Sequence, residues 1–155
     1  MDNMAARVHE IRREQWLPRP RREIFAFFSN AMNLEILTPN WLRFAVLTPA
    51  PIAMHPGATI LYKLSWHGVP LRWKTGITRW EPEHCFEDLQ ISGPYALWHH
   101  THTFEEVRGG TLITDHVRYS LPFGWIGRLA HSLTVRRNVE EIFDYRYRRI
   151  EAMFG

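Results

Sequence analysis

The sequence predicts an α+β fold in which helices cover one face of an antiparallel sheet. Two short helical segments follow the first predicted strand, turn residues then separate a run of β segments, and the last third has an apolar period of three to four residues. The chain has 155 residues, of which 45% are hydrophobic. This is enough for one domain with its own core, so we expect a single domain over residues 1–155.

The N-terminal elements are predicted from prolines and capping residues. Residues 7–17 are extended in character and end at Pro18. Pro20 suits the first turn of a helix, whose apolar face would be formed by Ile24, Phe25, Phe27 and Phe28. Ser29 or Asn30 can cap a second short helix, which Thr38-Pro39 would end.

Six further strands are predicted between residues 41 and 121. Their ranges are 41–48, 57–66, 71–80, 84–91, 95–107 and 111–121. The segment Arg108-Gly109-Gly110 is a hairpin signal between the last two strands. Because the intervening turns are short, we expect successive strands to pair as an antiparallel meander.

A long C-terminal helix is predicted after Pro122-Phe123-Gly124. Apolar residues recur there with helical spacing, at Val135, Val139, Ile142, Phe143, Ile150 and Met153. This period defines one helix face that should pack on the sheet. A strongly curved sheet closing on this helix would leave a cavity between them.

Strand parity predicts what faces this cavity. One face of the last two strands carries Trp98, His100, His102 and Phe104 together with Ile113, Asp115, Val117, Tyr119 and Leu121. A Gly109-Gly110 turn would place His102 opposite Val117 and Phe104 opposite Asp115. On the preceding strand, Phe86 shares its parity with Asp88 and Gln90. Buried polar groups need partners, so we expect water or a ligand at this face.

Composition narrows the class of partner. The net charge is +3, and the Arg clusters alternate with acidic residues, so we expect a mixed solvated surface and no nucleic-acid partner. Cys85 is the single cysteine, which excludes an internal disulfide. Residues 1–13 lack the apolar segment of a secretory signal, and no apolar run could span a membrane. These features predict a cytoplasmic protein without stable membrane insertion.

The chemical motifs leave three candidate residues. Nucleotide-binding glycine loops and the G-x-S-x-G element of hydrolases are missing from the sequence, so we predict no cofactor. His100 and His102 could bind a metal with Asp115 as third ligand. No CxxC or HExxH motif supports this, and we predict no metal. The same three residues are candidates for acid–base catalysis, or for structural hydrogen bonds.

Four segments resemble one family. They are Asn33-Leu34-Glu35-Ile36-Leu37-Thr38-Pro39, the segment Phe86-Glu87-Asp88-Leu89-Gln90-Ile91-Ser92-Gly93-Pro94-Tyr95, the segment Trp98-His99-His100-Thr101-His102-Thr103-Phe104, and Asp115-His116-Val117-Arg118-Tyr119-Ser120-Leu121-Pro122. In this order they resemble a bacterial ligand-binding branch of the START/Bet v 1-like (SRPBCC) superfamily, related to polyketide cyclase/dehydrase-like proteins.

The resemblance implies a helix-grip fold. In this fold a curved seven-stranded antiparallel sheet surrounds a long C-terminal helix, with two short helices after strand 1. It also implies that the cavity binds a small apolar or aromatic molecule. The alternative is a cofactor-independent enzyme of the polyketide cyclase/aromatase or dehydratase kind, and a homodimer stays open.

The predicted ligand-binding residues combine this resemblance with strand parity. They are Trp73, Phe86, Asp88, Gln90, Trp98, His100, His102, Phe104, Asp115, Val117, Tyr119 and Trp125. Trp125 is included as a lid on a mobile segment 124–127, because Gly124 and Gly127 permit backbone movement. Two alternatives are an entrance at the proline-rich segment 49–57 and a Trp125 that only packs the start of the helix.

Overall fold

A seven-stranded antiparallel sheet and one long helix dominate the computed structural model. The model describes residues 7–155, without the side chains at positions 125, 127, 128, 131 and 132. The strands are β1 (His9–Leu17), β2 (Ala45–Val46), β3 (Thr59–Trp66), β4 (Val69–Glu81), β5 (Cys85–Ser92), β6 (Leu97–Val107) and β7 (Gly110–Ser120). The helices are α1 (Arg21–Phe28), α2 (Gly124–Ala130) and α3 (Arg136–Phe154), with a π-helical turn at His131–Val135 and 3-10 turns at Ala31–Glu35 and Asn40–Leu42.

The strand order is β1-β7-β6-β5-β4-β3-β2, so β2 to β7 form a meander and β1 pairs with β7. Two register shifts interrupt β4, between Lys74 and Thr75 and between Ile77 and Arg79. Such irregularities bend a strand and increase its twist. The resulting curved sheet closes around α3, and the predicted helix-grip α+β fold is confirmed.

Helix α3 packs on the sheet through the predicted apolar face. Val139 and Phe143 of α3, and Val135 at the end of the π-helical turn before it, are buried against Val117 and Tyr119 of β7. Polar contacts fasten the same helix to β1: Arg13 Nη1 donates to Asp144 Oδ1 at 2.8 Å. Gln15 of β1 also donates to α3, through Nε2 to the Tyr147 carbonyl at 3.1 Å. These contacts hold the helix against β1 and β7 at one side of the sheet.

The segment after α1 differs from its prediction. The strand expected over residues 41–48 is present but much shorter: a 3-10 turn occupies Asn40–Leu42, and pairing is limited to Ala45–Val46. Arg43 between them has a left-handed backbone with φ 47°, which a continuous strand does not allow. The second short helix is a 3-10 turn, capped by the Asn30 side chain, which accepts from Met32 N at 3.1 Å.

The predicted β6–β7 turn is displaced by one residue. Arg108 and Gly109 form the two-residue turn, with φ 52° and 75°, so Val107 pairs with Gly110. His102 therefore lies opposite Asp115, and Phe104 opposite Ile113. Gly110 is needed for another reason: a Cβ there would lie 2.3 Å from the Leu17 carbonyl oxygen of β1. The pairing shifts by two positions, so the predicted faces are unchanged.

An apolar cluster fills the end of the sheet beneath α1. Its buried members are Leu17, Ile24, Phe25, Leu37, Phe86, Phe104, Ile113 and Ile150. Phe25 of α1 contacts Phe104 edge-on, with ring centroids 5.2 Å apart. In the described part of the chain, no helix combines the length and apolarity needed to cross a membrane.

Candidate functional site

A cavity of about 170 Å³ lies between the inner face of the sheet, α3 and the turns that follow α1. Most of its wall is apolar, including Leu34, Phe44, Ile60, Trp73, Trp98 and Ile142. The wall becomes polar where β5 and β6 meet α3, at Asp88, His100, His102 and Arg146. The cavity is therefore mostly apolar, and its acidic, imidazole and guanidinium side chains lie together on one side.

Four side chains on β5, β6 and β7 form a connected group, which we call the Asp–His quartet: Asp88, His100, His102 and Asp115. His102 Nε2 lies 3.1 Å from Asp88 Oδ2, and His100 Nε2 lies 2.9 Å from Asp115 Oδ1. Because an ionised carboxylate only accepts, each imidazole nitrogen donates in these contacts. The bonds run diagonally across the sheet, since the register places Asp88 opposite His100 and Asp115 opposite His102.

Asp115 lies close to both imidazoles. His102 Nδ1 is 2.9 Å from Asp115 Oδ1, the same oxygen that accepts from His100. This distance is that of an ion pair, but the contact is not aligned as a hydrogen bond, and Nδ1 has no other partner among the described residues. Asp115, on β7, therefore contacts both histidines through the same carboxylate oxygen.

The quartet shifts the pKa values of its two histidines in opposite directions. Burial and the neighbouring positive charge of His102 lower the pKa of His100 to about 4. Burial also opposes charging of His102, but its contacts with Asp115 and Asp88 outweigh this and raise its pKa. Burial is likewise outweighed at Asp115, where the hydrogen bond from His100 and the close contact with His102 hold the pKa well below its usual value. Protonation is therefore favoured at His102 over His100.

Ring stacking fixes the orientation of the two imidazoles. The centroids of His100 and His102 are 3.7 Å apart, and Phe86 stacks on the other side of His102 at 4.2 Å. Phe143 of α3 contacts His100 edge-on at 5.8 Å. Packing on both sides restricts side-chain rotation, so the polar wall is held in place before any ligand enters.

Two ionisable groups of the cavity, Arg146 and Tyr62, are missing from the predicted site. Arg146 of α3 reaches the wall, with its guanidinium carbon 5.1 Å from the Phe143 ring centre. Its Nε is buried without a hydrogen-bond partner in the described part of the chain. Tyr62 of β3 also lines the cavity, and burial together with nearby Asp88 raises the pKa of its phenol. Helical spacing could have indicated Arg146, which follows Ile142 by four residues and Phe143 by three.

Six of the predicted ligand-binding residues line the cavity: Trp73, Phe86, Asp88, Trp98, His100 and His102. Asp115 instead borders a small separate recess beside Arg13 and Gln15.

The remaining predicted residues lie elsewhere. Phe104 belongs to the cluster beneath α1, and Val117 and Tyr119 pack against α3. Gln90 bonds twice to the backbone of Tyr95: its Nε2 donates to the carbonyl at 2.8 Å, and its Oε1 accepts from the amide at 3.1 Å. The predicted lid, Trp125, has its side chain outside the described residues. Met54, from the alternative entrance segment 49–57, lines the cavity.

Solved structures share this architecture at low sequence identity. TTHA0849 from Thermus thermophilus aligns with a TM-score of 0.71 and 18% identity, over 95% of this chain and 100% of that one. Ara h 8.0201 aligns with a TM-score of 0.64 and 16% identity, over 95% of this chain and 97% of that one. Major latex-like protein 151 from Panax ginseng aligns with a TM-score of 0.68 and 12% identity, over 95% of this chain and 97% of that one. These similarities establish the fold, and the last two are Bet v 1-like proteins.

The sequence matches no curated protein. It does match a family model, described as polyketide cyclase / dehydrase and lipid transport, over residues 17–143. This range runs from the end of β1 into α3 and contains the whole Asp–His quartet. The chain therefore belongs to the polyketide cyclase / dehydrase and lipid transport family, within the START/Bet v 1-like superfamily.

Proposed function

We propose that this protein binds a small aromatic or apolar molecule, of one or two rings, in the cavity between the sheet and α3. The observation that carries this proposal is the cavity itself, at about 170 Å³. An apolar protein cavity of roughly 150 Å³ holds benzene, and pockets for drug-sized ligands measure roughly 300–1,000 Å³. The available space therefore favours a compact ligand over a long lipid or a tetracyclic compound.

The two kinds of wall indicate the chemistry of the ligand. Trp73 and Trp98 meet edge-to-face, with centroids 5.3 Å apart, and offer aromatic surface to a ring. On the polar side, Nδ1 of neutral His100 can accept a hydrogen bond and the Arg146 guanidinium can donate one. A buried donor without a partner is costly, so the polar wall favours a ligand with hydrogen-bonding groups. An aromatic ring that carries a hydroxyl or carbonyl group would pack on the tryptophans and also hydrogen-bond to the polar wall.

Native mass spectrometry of freshly purified protein is the first test, since it would detect a compound that copurifies. Quenching of tryptophan fluorescence by phenol, indole and 2-naphthol then measures binding directly. We expect each to bind once per chain and a tetracyclic compound to bind much more weakly. If none of the three small probes binds, the proposal is wrong.

A pair of alanine substitutions locates the binding. Ala31 is buried at the cavity wall, whereas Ala26 is exposed on α1. Ala31→Leu should fill part of the cavity and weaken probe binding, and Ala26→Leu should leave it unchanged. Equal binding by both variants would place the probes outside the cavity.

A second candidate is a dehydratase-like enzyme, in line with the family. The observation that favours it is a pair of imidazoles on the cavity wall, with a carboxylate behind them. Such a pair could take a proton from the carbon next to a carbonyl group and deliver one to a departing hydroxyl, so that water leaves and a double bond forms. The probe 4-hydroxy-4-phenyl-2-butanone tests this, because its dehydration product absorbs strongly in the near ultraviolet. A rate equal to that in buffer would contradict dehydration of this substrate class.

A further inference from the structure

We propose that Asp88, His100 and His102 bind a divalent transition-metal ion, and that Asp115 orients the two histidines from behind. One donor atom from each of the three proposed ligands lies within 4.8 Å of the other two. Donor atoms around a tetrahedral Zn²⁺ are about 3.3 Å apart, since the bonds measure roughly 2.0–2.2 Å. Side-chain movements of about an ångström would close the site.

The hydrogen bonds indicate which atoms would face the metal. His100 uses Nε2 to contact Asp115, which leaves Nδ1 with a free lone pair. His102 Nε2 lies 3.1 Å from Asp88 Oδ2, a spacing suited to two ligands of one ion. A metal there would replace the proton that now lies between these two atoms, because a ligating imidazole must be neutral.

Asp115 completes the arrangement without binding the metal itself. Its Oδ1 lies 2.9 Å from His100 Nε2 and 2.9 Å from His102 Nδ1, the nitrogen on the other side of each ring from the proposed ligand atom. Histidines that bind metals usually donate their second N–H to such an outer carboxylate, which fixes the ring and raises its basicity.

Charge and donor type define the class of metal. The quartet contains two carboxylates in a largely buried site, with side-chain exposures of 20% for Asp88 and 11% for Asp115. A divalent cation with two neutral imidazoles balances them. Two nitrogens and one carboxylate favour Zn²⁺, Fe²⁺, Co²⁺ or Ni²⁺ over Mg²⁺ and Ca²⁺, which prefer oxygen. Three protein ligands leave further coordination positions open, and the ligand residues line the cavity.

This inference goes beyond the proposed function and does not depend on it. It also departs from the sequence-based prediction of no metal, in which Asp115 was the candidate third ligand. Strand pairing changes that assignment, because it brings Asp88 of β5 to His102 Nε2 and places Asp115 on the opposite side of the rings.

The direct test is a titration of the untagged, EDTA-treated full chain with Zn²⁺ by isothermal calorimetry. We expect one Zn²⁺ per chain, and a Co²⁺-loaded protein with visible absorption bands of nitrogen and oxygen coordination. A wild-type chain that takes up no Zn²⁺ with the metal in excess would overturn the proposal.

Two neighbouring residues of β5 provide a matched pair of variants. Asp88→Asn keeps the size of the side chain but removes a charged ligand, so Zn²⁺ binding should be lost. Glu87→Gln changes the next residue, which contacts His99 at 3.4 Å on the other face of the sheet, and binding should persist. Asp115→Asn should weaken Zn²⁺ binding about 10- to 100-fold, as expected of an outer carboxylate.

Equal Zn²⁺ affinity in Asp88→Asn and Glu87→Gln would place the ion elsewhere and overturn the assignment. The aromatic probes are measured separately, in EDTA. Absence of Zn²⁺ binding would therefore not contradict the ligand-binding proposal. Absence of probe binding would likewise not affect the result of the Zn²⁺ titration.

Discussion

Two neighbouring rungs of the β6–β7 ladder carry opposite kinds of side chain on the same face of the sheet. Phe104 pairs with Ile113, and both are almost fully buried, at 1% and 2% exposure. Two residues further along, at the next pair on this face, His102 pairs with Asp115, and His102 lines the cavity. We call these pairs the apolar rung and the polar rung.

The elements above the sheet account for the difference. Phe25 and Phe28 of α1 cover the apolar rung, with ring centroids 5.2 and 5.6 Å from Phe104. The cavity opens beside the polar rung, where α3 contributes Arg146. Both pairs belong to the same continuous antiparallel ladder, so the covering elements decide whether an inward-facing side chain belongs to the core or to the site. The apolar rung should therefore control stability, and the polar rung should control binding.

The largest expected effect is at the apolar rung. Phe104→Ala should lower the free energy of unfolding by about 3–5 kcal/mol, because it removes a buried ring and leaves a cavity. Urea denaturation measures this change. At a temperature where the variant stays folded, its affinity for the aromatic probes should be close to wild type. If the free energy of unfolding falls by less than about 1 kcal/mol, or if the folded variant no longer binds the probes, the apolar rung does not act on stability alone.

The next effect is at the polar rung. His102→Phe leaves Asp88 and Asp115 without the imidazole that contacts both of them, so we expect a loss of about 3 kcal/mol in unfolding free energy. This is the lower end of the range for breaking buried ion pairs, because Asp88 keeps access to the cavity. Affinity for phenol should also fall, by about 1–3 kcal/mol. Unchanged phenol affinity by fluorescence titration would remove His102 from the binding site.

A smaller effect should separate a structural residue from the binding residues. Gln90→Ala removes both side-chain hydrogen bonds to the Tyr95 backbone, which should cost about 1–2 kcal/mol in stability. Probe affinity should change much less than in His102→Phe, since Gln90 holds a turn and does not line the cavity. Glu87→Ala on the outer face of the same strand is the control, with an expected loss below about 0.5 kcal/mol. If Gln90→Ala changes the binding free energy of phenol more than the free energy of unfolding, Gln90 belongs to the binding site.

Much of the fold was predictable because its signals are local. The alternation of side chains identified the inner face of β5, β6 and β7, and an error of two positions in the register did not alter it. The register itself depended on which residues form the turn. Gly109-Gly110 was a reasonable prediction, but Gly110 is required by the close approach of β1, a contact between distant segments. The short strand β2 was overextended because nothing in the sequence indicates the left-handed backbone of Arg43.

The candidate site was predictable only in part, for the same reason. Asp88, His100 and His102 were found by parity, because each alternates with outward residues on its own strand. Their contacts could not be predicted, since these cross strands and depend on the register. Arg146 belongs to an arginine-rich stretch of the last helix that alternates with acidic residues, and only the packing of α3 places it at the cavity.

The smallest expected change in stability comes from the largest set of substitutions. The variant Asp88→Leu, His100→Leu, His102→Phe and Asp115→Leu replaces the whole Asp–His quartet with apolar residues. Replacing a complete buried ionic group in this way is often neutral or stabilising, because no charge is left without a partner. We therefore expect an unfolding free energy within about 1 kcal/mol of wild type or above it, in contrast to the single His102→Phe variant. Zn²⁺ binding should be absent. Urea denaturation and calorimetry would check both outcomes, and a strongly destabilised fourfold variant would mean that the polar rung serves the fold as the apolar rung does.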